Sequence, residues 1–159
     1  EGLRRASRHI RRATQDGTDL DARREMMASA LNGALAFQKG LGGVHAMSHA
    51  LGGLPGHTLH HGMLNAILLP HVLRFNEPAV GARYVALNEA MGLAGDADTA
   101  TAVADLTAEL GLPTRLSELG VTQPDIVMAA PLAECDHTSS TNPRKANASD
   151  YHALLELAF

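Results

Sequence analysis

The sequence predicts an all-α fold, and three observations predict it. Alanine and leucine dominate a 45% hydrophobic content, while aromatics make up 3% and tryptophan is absent; strands prefer β-branched and aromatic residues, so this bias favours helix. Apolar residues recur at spacings of three and four between glycine and proline breakers. No segment alternates apolar and polar residues as a half-buried strand does.

The elements follow in order. Residues 1–14 read as a short, basic, amphipathic helix that runs out at Asp16-Gly17. A second helix starts near Asp19-Leu20-Asp21, where acidic residues suit the positive end of the helix dipole. It carries Met27, Ala30, Leu31, Ala34 and Leu35 at the spacing of a buried stripe, and Gly40, Gly42 and Gly43 stop it. VHAMSHAL is a brief helix, cut off by Gly52-Gly53 and Pro55-Gly56. A helix over 61–76 is expected to bend at Pro70, because proline lacks the backbone donor and crowds the preceding turn. Helices over 78–91 and 98–110 follow, the latter closed by Gly111 and Pro113. TRLSELG is a short helical turn, and 122–133 starts at Thr122 with Pro124 in its first turn. The last helix spans 149–158, with Ser149 as N-cap.

At 159 residues the chain is one domain's worth, long enough to bury a core. Its formal charge of −4 argues against a nucleic-acid surface. The basic start, LRRASRHIRR, lacks stacking aromatics and reads as a solvated helix face. Cys135 is the single cysteine, so no disulfide framework exists and a reducing, cytoplasmic compartment is expected. No apolar run approaches the length of a membrane span, and no secretory signal opens the sequence. Glu1 falls within a helical pattern and no initiator methionine precedes it, so the chain reads as a piece of a longer protein.

Chemistry concentrates in one stretch. Of nine histidines, six fall between His45 and His71, in GGVHAMSHALGGLPGHTLHHGMLNAILLPHV. Imidazole is the commonest metal ligand and titrates near neutral pH. His45 and His49 are four apart and share one helix face. His57, His60 and His61 lie beyond a glycine-rich loop that can fold back onto that face, and His71 follows Pro70 further along the next helix. Spacing alone does not rank these candidates for a metal or catalytic role.

GGVHAMSHALGG, then HHG, then NAILLPHVLRFN, resembles the histidine signature of the iron-containing (group III) alcohol dehydrogenases, which include maleylacetate reductases. TNPR at 141–144 followed by a final helix is similar to the end of these enzymes. The resemblance covers the whole chain, 1–159, as the family's metal-binding C-terminal helical domain, in a dehydroquinate synthase-like fold without its N-terminal α/β nucleotide domain. It implies His45 and His61 as ligands of a divalent metal, Fe2+ or Zn2+, and places His49 beside substrate and cofactor as a proton relay. His60 stands where many members carry proline and competes with His61 for the ligand role. The Gly52–His60 loop is about two residues longer than in many members, and His71 is implied to be structural.

The family's other two ligands are an aspartate and a histidine four residues apart on a preceding helix, and no aspartate in this chain has a histidine four residues later. GLGG at 40–43 follows a helix rather than a strand, so it is no phosphate-binding fingerprint but a turn leading to His45. For the intact parent the resemblance implies hydride transfer between NAD or NADP and a small alcohol, aldehyde or oxoacid, in a homo-oligomer. Two other readings stay open: a truncated, non-catalytic helical module, and a self-contained metal-binding bundle using His45, His49, His60 and His61.

Overall fold

The computed structural model describes every residue, Glu1–Phe159, and contains helices but no strand. Eight α-helices follow in order: α1 (Gly2–Gln15), α2 (Leu20–Ala36), α3 (Gly43–Gly52), α4 (His61–Val80), α5 (Arg83–Met91), α6 (Thr99–Glu109), α7 (Gln123–Cys135) and α8 (Ala148–Ala158). Short 3₁₀ turns occupy Phe37–Lys39, Leu116–Leu119 and His137–Thr141. They form two compact units, residues 1–40 with 81–99, and residues 41–80 with 100–159.

In the first unit, α1 and α2 form a helical hairpin. The Asp19 side chain caps α2 by accepting from the Ala22 N–H at 2.9 Å and also receives Arg12 Nη2 at 2.6 Å. At the other end of the pair the backbones approach closely. A Cβ on Gly2 would lie 2.9 Å from the Asn32 Cβ, and the Ser29 hydroxyl donates to the Gly2 carbonyl at 2.8 Å. Arg5 pairs with Glu25 across the same seam. The face of α2 held on α1 is therefore Ala22, Glu25, Ser29 and Asn32. The expected buried stripe is the opposite face: Met27, Leu31 and Leu35 are 74%, 62% and 66% exposed. Ala30 and Ala34 are exposed as well. Periodicity was right about the helix, but its apolar side has no cover within this chain.

Two boundaries also move. The helix expected over 61–76 runs through Pro70 and Pro78 to Val80, and Gly81 at φ +46° ends it, so α5 starts at Arg83 rather than 78. In α5 the buried Asn88 holds the following loop, donating to the Gly95 and Ala97 carbonyls and accepting from Thr99 Oγ1.

The second unit holds the main core. Met47, Leu51, Leu64, Leu68, Ile126 and Leu155 are inaccessible, contributed by α3, α4, α7 and α8; each such side chain is worth about 1.5–3 kcal/mol on removal from water. Asp125 closes the start of α7 by accepting from the Thr122 backbone N–H at 2.8 Å and its hydroxyl at 2.6 Å. The cap of α8 is Asn147, two residues before the expected Ser149: its side chain accepts from the Asp150 N–H and Asp150 returns the bond. Ser149 instead lies within the first turn.

The TNPR turn ties these helices together. Asn142 is buried, and its Oδ1 accepts from the Gly43 N–H at 3.0 Å and from Asn76 Nδ2 at 3.1 Å. Its Nδ2 donates to Asn76 Oδ1 at 2.8 Å and to the Arg144 carbonyl at 2.6 Å. The close approach is at Gly42, where a Cβ would stand 3.0 Å from Asn142 Oδ1 and press on this amide. Arg144 stacks over Phe75, 4.0 Å from the ring centroid. Replacing Asn142 with alanine strands the Gly43 donor and both polar groups of Asn76. Urea unfolding of Asn142→Ala should show a loss of about 2–3 kcal/mol, the cost of unpaired buried polar groups.

Candidate metal centre

Three imidazoles from two helices meet at one end of the second unit. Helix α3 brings His45 from its first turn and His49 from its last, one turn apart, and the first residue of α4 brings His61. Their ring centroids lie 5.3 Å (His45–His61), 5.6 Å (His49–His61) and 5.7 Å (His45–His49) apart. The loop between these helices is anchored at its middle, where His57 Nε2 sits 3.1 Å from the Asp125 carboxylate that caps α7. His57 is thereby taken up by the scaffold. His60, next to His61 in sequence, is exposed and makes no ring contact with the cluster; its ring lies over Gly62. His71 lines a separate cavity of about 550 Å³ with Arg74 and Arg115.

The donor chemistry fits a metal only in part. Two imidazoles bound to one ion at a tetrahedral angle, with metal–nitrogen bonds of about 2.0–2.1 Å, keep their centroids roughly 5 Å apart. The separation of His45 and His61 matches that arrangement. However, no three His, Cys, Asp or Glu side chains are placed to hold one ion. The second reading above, a bundle binding metal through His45, His49, His60 and His61, is therefore not the arrangement the structure adopts.

The remaining contacts give each ring a different character. His49 Nδ1 lies 3.1 Å from Asp136 Oδ2, so with Nδ1–H donating to the carboxylate, Nε2 is the nitrogen free to take up or release a proton. Burial of Asp136 opposes its ionisation, but the Thr138 hydroxyl at 2.5 Å, the Thr138 N–H at 2.8 Å and His49 outweigh it, so the carboxyl titrates below 3.8. His137 stacks near His49 with centroids 6.1 Å apart. For His61, Nε2 receives the Asn65 amide at 3.0 Å and Nδ1 faces Ser48 Oγ at 3.4 Å. Asn65 Oδ1 is buried without a partner. His45 is pushed below 6.5 by burial first, then by His61 and His49, with Asp136 opposing; it stays neutral, as a ligand must be. A cavity of about 560 Å³ opens beside His45, walled mostly by apolar side chains such as Leu41, Val44, Leu69 and Leu73.

Asp136 is not singled out by the sequence, although Asp136 and Thr138 form a recognisable side-chain-to-backbone turn just before TNPR. Met47, between the two histidines of α3, is buried in the core, whereas Phe37 is 54% exposed.

A sequence profile described as the C-terminal part of the Fe-containing alcohol dehydrogenase family matches residues 2–159. The chain belongs to the iron-containing alcohol dehydrogenase family. Within this family it is 52% identical to a 4-hydroxybutyrate dehydrogenase of Cupriavidus necator over 98% of the chain and 43% of that protein. It is 37% identical to a 1,3-propanediol dehydrogenase of Citrobacter freundii over 100% of the chain and 43% of that protein. Among solved structures it superposes on a 1,3-propanediol oxidoreductase with a TM-score of 0.92 at 35% identity, covering 99% of the chain and 43% of that structure. A maleylacetate reductase from Agrobacterium tumefaciens gives 0.82 at 29%, over 100% and 43%. The chain thus spans less than half the length of these family members. No helix is long and apolar enough to cross a membrane.

Outside the cluster, the half-buried His71 is held below 6.5 by burial and then by Arg74. Its folded value lies under its unfolded one, so as pH falls through 6.5 the unfolded chain takes up the proton first and stability drops until the folded imidazole is protonated too. Urea midpoints measured from pH 7.5 down to 5 should fall, and His71→Gln should remove part of that slope.

Proposed function

We propose that the chain is the helical part of a metal-dependent, NAD(P)-linked oxidoreductase that moves hydride between the nicotinamide and a small alcohol or its carbonyl product. The observation that carries this is the His45–His49–His61 cluster, on the motif residues that resemble the family's signature, in a chain whose relatives are dehydrogenases of hydroxy acids and diols. By that likeness the substrate class is a short primary alcohol with a second polar end, such as a hydroxy acid or a diol. Fe2+ or Zn2+ would be held by His45 and His61, with further ligands from the portion of the whole protein that this chain does not span. When bound, such a metal supplies a Lewis acid that polarises the carbonyl oxygen or stabilises the alkoxide.

The chain's own residues do the rest. His45 is kept neutral by its surroundings; Ser48 faces His61 Nδ1, while the Asn65 amide sits on Nε2, the lone pair it would have to yield for His61 to bind the metal. Asp136 fixes the tautomer of His49, which serves as proton relay through Nε2 for the hydroxyl that loses or gains a proton as hydride moves. The mostly apolar cavity beside His45 offers space for the carbon chain of a small substrate. The nucleotide-binding domain, the choice between NAD and NADP, the homo-oligomer and a cytoplasmic setting belong to the same proposal, the last supported by a lone, unbridged Cys135.

In the full-length enzyme, His45→Ala and His61→Ala should each strip the metal, read by elemental analysis, and lower kcat/KM by about 10³ or more, the several kcal/mol a Lewis acid contributes. Metal retained at full occupancy in both variants would sink the assignment. Asp136→Asn should keep the metal while kcat falls by about 10²-fold, the lower range for a general acid–base group; an unchanged kcat and pH profile would remove His49 from the proton path.

A further inference from the structure

We infer that the outward face of α2 is a docking seam for a helix from the part of the full-length protein that precedes the region spanned here. Leu20, Met27, Leu31 and Leu35 are 75%, 74%, 62% and 66% exposed, and Phe37 just beyond is 54% exposed. Single exposed leucines are ordinary, but these line one side of one helix and leave a contiguous apolar patch on the order of 500 Å², the size that marks an interaction site. They recur at intervals of seven, four and four residues. That spacing suits packing against another helix, with the small Ala34 letting its backbone approach.

The opposite face of α2 is already used. Ala22 is fully buried, Glu25 pairs with Arg5, and Ser29 and Asn32 meet Gly2. Half a helical turn separates that seam from the apolar one, so α1 cannot cover both. The occupant follows from two further facts. The chain matches the C-terminal part of its family and spans 43% of its relatives' length, so most of a full-length member lies upstream. The point where an upstream segment joins is Glu1–Gly2, which is held against Ser29 and Asn32, in the same half of α2 as Leu31 and Leu35. A segment entering there reaches the seam within a few residues. The inference rests on the family reading only in taking the missing length to be upstream, and it does not require the site to bind metal.

Accessibility of single cysteines tests it. In a Cys135→Ser background, Met27→Cys or Leu31→Cys is placed in this chain alone and in a full-length chimera, in which residues 1–159 replace the aligned region of the 52%-identical 4-hydroxybutyrate dehydrogenase. Ala108→Cys, on an exposed position of α6, is the control. Maleimide labelling at 27 and 31 should be fast in the chain alone and at least 10-fold slower in the chimera, with position 108 less affected. Cysteines at the aligned positions of the relative itself give the same reading should the chimera not fold. Equal rates in both contexts overturn the inference. So does slow, concentration-dependent labelling in the chain alone, which would make a second copy the occupant. A chimera that is inactive but protects both positions leaves the seam standing and counts against the proposed activity instead.

Discussion

The second unit depends on one pair of side-chain amides. Asn142 and Asn76 bond to each other through both ends, and Asn142 spends its remaining acceptor capacity on the first N–H of α3. Buried and fully partnered, the pair fixes three elements against one another where apolar packing alone would allow sliding. Because α3 starts at Gly43, His45 inherits its place from this contact. The Arg144–Phe75 stack and the bonds from Thr138 and Thr141 to the Gly42 and Leu41 carbonyls hold the same turn from its other sides. The TNPR motif is thus the clamp on the first histidine as well as the lead-in to α8.

From that clamp the electrostatics of the cluster follow. Of the three imidazoles only His49 has a carboxylate within hydrogen-bond distance, while burial, followed by its two neighbours, lowers His45. The ring best suited to handle a proton is therefore the one beside Asp136, while His45 is kept neutral by burial and by its neighbours. The arrangement thus gives three chemically identical side chains different surroundings without any change of residue type. His57, a fourth imidazole, is diverted to the Asp125 cap and stabilises the loop that delivers His61.

Much of the fold was legible because its punctuation is local. Asp19, Thr122, Gly40, Gly111 and Gly120 mark helix ends by side-chain capping or by positive φ, and each acts where the sequence places it. The misplaced boundary between α4 and α5 came from Pro78, which is carried inside α4, where the helix tolerates the lost donor and ends instead at Gly81. The α2 stripe shows a different limit. A periodic apolar face reports that something is to be covered, not what covers it, and here the covering element lies outside the chain. In the site, His45, His49 and His61 were legible from motif and spacing, while Asp136 was not, since its role depends on a partner 87 positions away.

That separation bears on the order in which the protein can be assembled. The bond from Asp136 to His49 and the bond from Asn142 to Gly43 close loops of 87 and 99 residues, so neither can form until nearly all of the chain is present. His45 and His49 leave the ribosome long before Asn142 and Asp136, whereas the partners of His61, Ser48 and Asn65, are near it in sequence. The geometry of the cluster is therefore a property of the finished chain.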